Sequence, residues 1–314
     1  MSTDLSSVTT TFTVAHYDLD TTLGSGQSFR WQKSGSTWIG VIGKRWVRLQ
    51  QIQSSITATV ADPVCDWNWL VHYLQLDIGL EEIVRTFPDD QPMQAALRAC
   101  RGLRLLRQDP WECLASFILS STKQIVQIQQ IIALLTERFG EPLPAAPSYP
   151  RAFSFPAPER LSRCTETELR ECKMGFRAPY LLETARTIVS GRFDLQRLSS
   201  LPLGSARAEL MSLPGVGRKI ADCVLLFAYG FPAAFPVDVW VIKALRELYF
   251  PRTKRAHLKR LRQFSEEHFG PHGGYAQQYL FHYMRTKHPA STSRKQKGKR
   301  PAEKVATRNA KQLS

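Results

Sequence analysis

The apolar positions follow two different rhythms along the chain. In the first hundred residues they fall in short runs: Trp38, Ile39, Val41 and Ile42 in one, Trp46, Val47 and Leu49 in the next. Runs rich in β-branched and aromatic side chains, bounded by turn residues, predict strands. Gly43-Lys44 lies between them, and glycine tolerates the positive φ that a tight hairpin needs. Helical stretches around 66–75 and 90–101 are expected to cover one face of this sheet.

From about residue 105 the spacing becomes helical. Asp109-Pro110 with Glu112 combines an N-cap, a first-turn proline and an acidic first turn. It opens a helix over Trp111–Leu119, which Ser120-Ser121-Thr122 ends. Ile125, Ile128, Ile132 and Leu135 form the apolar stripe of a second helix. A proline-rich connection follows, from Pro142 to Pro158. Helices are then expected at about 166–171, at 178–190 up to Gly191, and on both sides of 212–218. Three more cover about 238–249, 254–267 and 274–285. There is no internal repeat. The pattern is α+β: an N-terminal antiparallel β-sheet domain with covering helices at 1–105, then an all-α domain at 106–288. Residues 289–314 are polar, basic and aperiodic, and are expected to be disordered.

Charge narrows the partners. The 314 residues carry a formal net charge of +15. Residues 291–314 hold eight Lys and Arg against Glu303 alone, yet the body remains strongly basic without them. Such a surface attracts polyanions, of which nucleic acid is the commonest, although a basic tail can also be a merely solvated extension. No apolar run approaches the roughly 18–20 residues needed to span a bilayer, and the first residues do not pattern as a secretory signal. An intracellular protein with no membrane association is expected. The cysteines, at 65, 100, 113, 164, 172 and 223, form no CxxC pair, and none follows Cys223. That excludes the usual zinc spacings and a C-terminal iron–sulfur loop, so neither metal nor cofactor is expected.

The most informative stretch is Leu213-Pro214-Gly215-Val216-Gly217-Arg218-Lys219-Ile220-Ala221-Asp222-Cys223. One helix is expected to end near Met211 and another to begin near Arg218. The glycines permit positive φ and close approach of another backbone. Val216 is an apolar plug between them. The free N–H groups of the new helix suit a phosphate oxygen, a contact that holds DNA without reading its sequence. Lys219 lies in the first turn of that helix. The positive end of the helix disfavours an ammonium, which should lower the amine's pKa from about 10.4 and make it a nucleophile. A phosphate-contacting lysine would favour the same position. Asp238, in Pro236-Val237-Asp238-Val239-Trp240, is either an N-cap or a catalytic carboxylate, and capping does not exclude catalysis.

The hairpin with Lys219 and the Pro-Val-Asp-Val string resemble the helix–hairpin–helix/Gly-Pro-Asp superfamily of DNA glycosylases. Within it, the 8-oxoguanine DNA glycosylase/AP lyases are most similar. Four further strings carry the resemblance, in the family's order: Gly24-Ser25-Gly26-Gln27-Ser28-Phe29-Arg30-Trp31, Ser116 to Ser121, Gly175-Phe176-Arg177-Ala178-Pro179-Tyr180, and Gly274 to Phe281. It spans roughly residues 12–286.

The resemblance implies a helical glycosylase domain acting on double-stranded DNA that contains oxidised guanine, as a monomer. Lys219 would attack C1′, expel the base and form a Schiff base, and β-elimination would follow. Asp238 would stabilise the charge that develops on the sugar. Gly26 would accept from N7–H of the lesion, Gln277 would read its Watson–Crick edge, and Cys223 and Phe281 would sandwich it. By residue type alone, Cys223 and Phe281 are equally good core residues. Gly215, Val216, Gly217 and Lys123 would hold phosphates, while Thr122, Gln127, Phe176 and Arg177 would lie at the opposite base or wedge the duplex. Two departures stand out. Thr122-Lys123-Gln124 and Gln127 replace an expected Asn-Asn-Asn run and arginine, so opposite-base discrimination should be looser. Trp240 stands where a phosphate-binding histidine is expected.

Alternatives are a same-fold glycosylase for another damaged base and a non-catalytic DNA-binding protein. Alkylated-base enzymes of this superfamily usually lack the hairpin lysine. Its adenine- and pyrimidine-specific members usually carry a four-cysteine cluster that this chain lacks.

Overall fold

The computed structural model describes residues 7–121, 124–146, 151–253 and 256–288. The expected disorder at 289–314 concerns residues outside that set.

The N-terminal half is built on one antiparallel sheet. Strand β1 (Val8–Thr13) precedes a short helix, α1 (Leu19–Gly24). Strands β2 (Gln32–Ser34), β3 (Thr37–Ile42), β4 (Arg45–Ile52) and β5 (Ser55–Val60) follow, in sheet order β1-β5-β4-β3-β2. The hairpin turn falls at Gly43-Lys44 as expected, with Ile42 paired to Arg45 and Gly43 at φ 57°. Helix α2 (Asn68–Leu74) packs Leu70, Tyr73 and Leu74 on Val47, Leu49 and Ile56 of the sheet, joined by Leu19 and Leu23 of α1. Helices α3 (Leu80–Val84) and α4 (Gln91–Ala99) do not belong to that core. The expectation that the 90–101 helix covers the sheet is therefore corrected. Met93 and Ala96 of α4 instead join the helical core, where α4 meets the last helix of the chain. An amphipathic stripe says which face is buried, and not against what.

The second half is helical. Helix α5 (Pro110–Leu119) starts as its sequence dictates, with Asp109 accepting from Glu112 N at 2.8 Å. Helix α6 (Ile125–Phe139) buries Ile128, Ile132 and Leu135, again as expected. The proline-rich connection carries a two-strand ladder of β6 (Pro142–Leu143) and β7 (Ala152–Phe153) that the sequence did not signal. Helices α7 (Pro158–Ser162), α8 (Glu166–Glu171), α9 (Ala178–Val189), α10 (Leu203–Met211) and α11 (Arg218–Val224) follow. Helix α12 (Val239–Ala244), α13 (Leu258–His268) and α14 (Gly273–Lys287) complete the fold. Both α11 and α12 run on into a wider π-helical turn, at Leu225–Tyr229 and Leu245–Tyr249. Helix α11 packs between α5 and α10, and α12 packs on α14.

Candidate active site

The turn between α10 and α11 is the helix–hairpin–helix element. Gly215 has φ 74°, in the left-handed region, and a Cβ there would come within 2.6 Å of the Tyr180 ring. A side chain is excluded on both counts. Gly217 differs from expectation: at φ −91° and ψ 174° it is ordinary extended backbone, and it caps α11 without a positive φ. Val216 is 5% exposed, as a plug should be, while both glycines face solvent. Beneath the hairpin, Asp222 pairs with Arg207 at 2.6 Å and with Arg218 at 3.7 Å, which ties α11 back to α10.

Lys219, half-buried in the first turn of α11, points at α5. Its Nζ donates to Ser120 Oγ at 3.3 Å and lies 5.2 Å from the centre of the Phe117 ring. Ser120 Oγ itself donates to Phe117 O at 2.7 Å, which leaves its lone pairs for the lysine. Cys223, one turn along α11, is buried beside Lys219, and burial pushes its thiol up to about 12. The thiol is thus neutral and polarizable at neutral pH.

Asp238 is the N-cap of α12, and its Oδ1 accepts from Val241 N at 2.8 Å. Burial raises its pKa, opposed by the Val241 N–H, the Lys219 charge, the Trp240 N–H and the Arg285 charge. Among the described residues no ion pair closes between Asp238 and Lys219. The Lys219 charge acts on Asp238 through space, and Cys223 feels both.

The remaining residues of the implied pocket come from two other segments. Gly26 (φ 77°) follows α1, and a Cβ there would lie 2.5 Å from Ile125 Cδ1 and 3.2 Å from Arg285 Nη1. Gln277, on α14, is 3% exposed, and its buried Oε1 has no hydrogen-bond partner. Phe281, one turn on, is half-buried with the Arg285 guanidinium 5.3 Å from its ring centre.

The expected duplex-facing residues are distributed less simply. Phe176 is 56% exposed, and its ring lies 6.5 Å edge-on from that of Tyr180, beneath Gly215. Arg177 is only 2% exposed, with its guanidinium 4.3 Å from the Phe176 ring centre, so it is not displayed at the surface. Gln127 is exposed, but its Oε1 accepts from Gln124 N at 3.1 Å and closes a capping box on α6. Thr122 and Lys123 lie outside the described residues. Three contributors carried no assigned role in the sequence: Ser120, Arg285 and Gln27. Among the described residues no group of His, Cys, Asp and Glu could hold a metal ion, and no helix is long and apolar enough to cross a membrane.

Comparison with known proteins identifies the family. Residues 10–114 match the model of the 8-oxoguanine DNA glycosylase N-terminal domain. Residues 115–268 match that of the HhH-GPD superfamily base excision DNA repair proteins. The chain belongs to the 8-oxoguanine DNA glycosylase family. Within the family, it is 32% identical over 279 residues to an N-glycosylase/DNA lyase of Arabidopsis thaliana, covering 84% of this chain and 76% of that protein. It is 34% identical over 267 residues to an N-glycosylase/DNA lyase of Saccharomyces cerevisiae, covering 76% and 70%. The 8-oxoguanine glycosylase/lyase of Clostridium acetobutylicum, solved with double-stranded DNA containing cytosine opposite 8-oxoguanine, superposes with a TM-score of 0.81 at 34% identity. That match covers 86% of this chain and 92% of the other. A 3-methyladenine DNA-glycosylase of Archaeoglobus fulgidus shares the fold at 22% identity and a TM-score of 0.71.

Proposed function

We propose that this chain removes 8-oxoguanine from duplex DNA and cleaves the resulting abasic strand, with Lys219 as nucleophile and Asp238 as its electrostatic partner. One observation carries the assignment: Lys219, in the first turn of α11, is held against Ser120 and the Phe117 ring, one turn before the buried Cys223, while Asp238 caps α12 with the Lys219 charge acting on it. Glycosidic cleavage passes through an oxocarbenium-like state, which a nearby carboxylate stabilises. The amine of Lys219, once it has given up its ammonium proton, bonds to C1′ as the bond to the base breaks. The base leaves with the bonding pair, and an amine proton balances it. The C1′–O4′ bond then breaks, O4′ keeps the pair and takes the remaining amine proton, and an imine to Lys219 results. That imine acidifies the 2′ hydrogen, whose removal expels the 3′ phosphate.

The base must first leave the helix. The main-chain carbonyl of Gly26 would accept from N7–H of 8-oxoguanine, whereas guanine would present a lone pair to it. Gln277 Oε1, buried without a partner, is a ready acceptor for a Watson–Crick edge donor. The hairpin N–H groups of Gly215 and Gly217, with Lys123, would hold the phosphates, whereas Val216 N already donates to Leu213 O at 3.1 Å and Val216 serves as the plug alone. Phe176 would wedge into the duplex. Because Gln127 is turned to its own helix cap, discrimination of the base opposite, through Thr122, Gln127 and Arg177, would be loose. The enzyme would work as a monomer, wherever the cell keeps its DNA.

Borohydride trapping on duplex DNA with 8-oxoguanine opposite cytosine tests the assignment. The wild type should form a covalent adduct. Lys219→Gln should form none while still binding the duplex. A wild type that forms no adduct would overturn the lyase reading.

A further inference from the structure

Gln277, Phe281 and Arg285 repeat every four residues on α14 and share one stripe of that helix. The first two belong to the lesion pocket proposed above, on which this inference rests. Arg285 has no part in that reading, yet its surroundings are unusual. Its Nη1 is buried with no hydrogen-bond partner, and lies 3.2 Å from where a Cβ on Gly26 would be. The guanidinium stacks near Phe281, and burial pulls its pKa down, opposed only by the charge of Asp238. That carboxylate is already hydrogen-bonded to Val241 N. Neighbouring His282 is pushed down to about 4, first by burial and then by Arg285, so it is uncharged at neutral pH.

A buried, unsatisfied N–H on a permanent cation costs free energy in the DNA-free protein. An acceptor arriving with the DNA would remove that cost. Two kinds are available beside an extruded nucleotide: the oxygens of the base and the flanking phosphates. The stripe favours the phosphate. Helix α14 advances about 12 Å over the eight residues from Gln277 to Arg285. It therefore passes from the base edge, along the base face, to the part of the nucleotide where the backbone continues. A phosphate also carries full charge and matches the guanidinium fork with two parallel bonds. We propose that Arg285 binds a backbone phosphate flanking the extruded nucleotide, and so fixes the depth at which the lesion sits against Gly26 and Phe281.

The test uses a duplex carrying an uncleavable tetrahydrofuran abasic site, which has no base to contact. Affinity is measured against salt for the wild type, Arg285→Gln and Arg285→Lys. Arg285→Gln should bind on the order of tenfold more weakly at low salt, with the slope of log K against log salt reduced by about 0.9, the value for one lost phosphate contact. Arg285→Lys should retain the slope. Replacing the two flanking phosphates one at a time by methylphosphonate should weaken the wild type at one position and leave Arg285→Gln unaffected there. An unchanged slope in Arg285→Gln overturns the proposal, as does an affinity loss confined to duplexes that contain the lesion base. Should that variant fail to fold, a wild type indifferent to both methylphosphonates overturns it equally. Adduct trapping by the wild type is scored separately, so failure of this contact is distinguishable from failure of the proposed activity.

Discussion

Asp238→Asn separates the cap that this carboxylate forms at the start of α12 from the catalytic role proposed for it. The side-chain amide oxygen of asparagine can still accept from Val241 N, now bound at 2.8 Å. Asn and Asp cap helices about equally well, so unfolding should change by only a few tenths of a kcal/mol, whereas Asp238→Ala should cost about 1 kcal/mol. In a domain of this size that alanine penalty lowers Tm by about 2–4 °C. Catalysis should respond in the opposite order. Removing a preorganised partner of developing charge typically costs about 100- to 1,000-fold in rate, or roughly 3–4 kcal/mol. Single-turnover excision of 8-oxoguanine by Asp238→Asn should therefore fall by that factor while its melting curve overlays the wild type. The pH dependence gives a second reading. Burial raises the Asp238 pKa, and the carboxylate is the active form, so wild-type excision should fall on the acid side at a pH above the usual carboxylate range. That limb should vanish from the residual activity of the asparagine variant. For stability the sign is reversed: a raised folded pKa contributes most at low pH and less as pH rises through it. Excision within threefold of wild type in Asp238→Asn, or a melting loss as large as that of the alanine variant, would refute the division of roles.

Two further outcomes are expected. Gly26→Ala puts a Cβ 2.5 Å from Ile125 Cδ1, a side-chain end that can rotate away, and forces a non-glycine residue to φ 77° at about 1–2 kcal/mol. Excision of 8-oxoguanine should drop on the order of tenfold or more as the carbonyl shifts, while cleavage of a preformed abasic site stays within about threefold; equal losses in both assays would remove Gly26 from lesion reading. Glu112 is pushed up to about 7, chiefly by burial and against the pull of Arg30 at 3.7 Å. Its contribution to stability is present below its unfolded value and lost as pH rises through about 7, so Glu112→Gln should flatten Tm against pH over that window, and an unchanged profile would contradict the shift.

Local chemistry made much of this molecule legible before its structure. The start of α5 at Asp109-Pro110, the end of α10 at Met211 and the start of α11 at Arg218 followed from caps and glycines a few residues away. Helices α1 and α3 are too short for a periodic stripe to register, and β6–β7 has only two residues in each strand. The site divides in the same way. Lys219 and Asp238 announce themselves because helix starts have a recognisable chemistry. Ser120 beneath Lys219, and Arg285 beside Gly26, depend on packing between residues 99 positions and more apart, for which no local pattern exists. Arg177 was nameable from its string, but not its burial against Phe176.

The loop that carries Gly26 has a further significance. Gln27 Nε2 donates to Arg104 O at 2.8 Å, and its Oε1 accepts from Leu106 N at 2.8 Å. Gln108 Nε2 donates back to Gln27 O at 2.7 Å, and Gln278 on α14 donates to Ser25 O at 3.1 Å. The residue proposed to recognise the lesion thus belongs to the sheet-bearing half, and its position is set jointly by the 104–108 segment that joins the two halves and by Gln278 on α14. The proposed catalytic pair and one of the proposed lesion-reading residues come from different parts of the polypeptide and meet at this seam. A substitution in the seam, remote from every reacting atom, could leave the enzyme able to cut while making it less discerning about what it cuts.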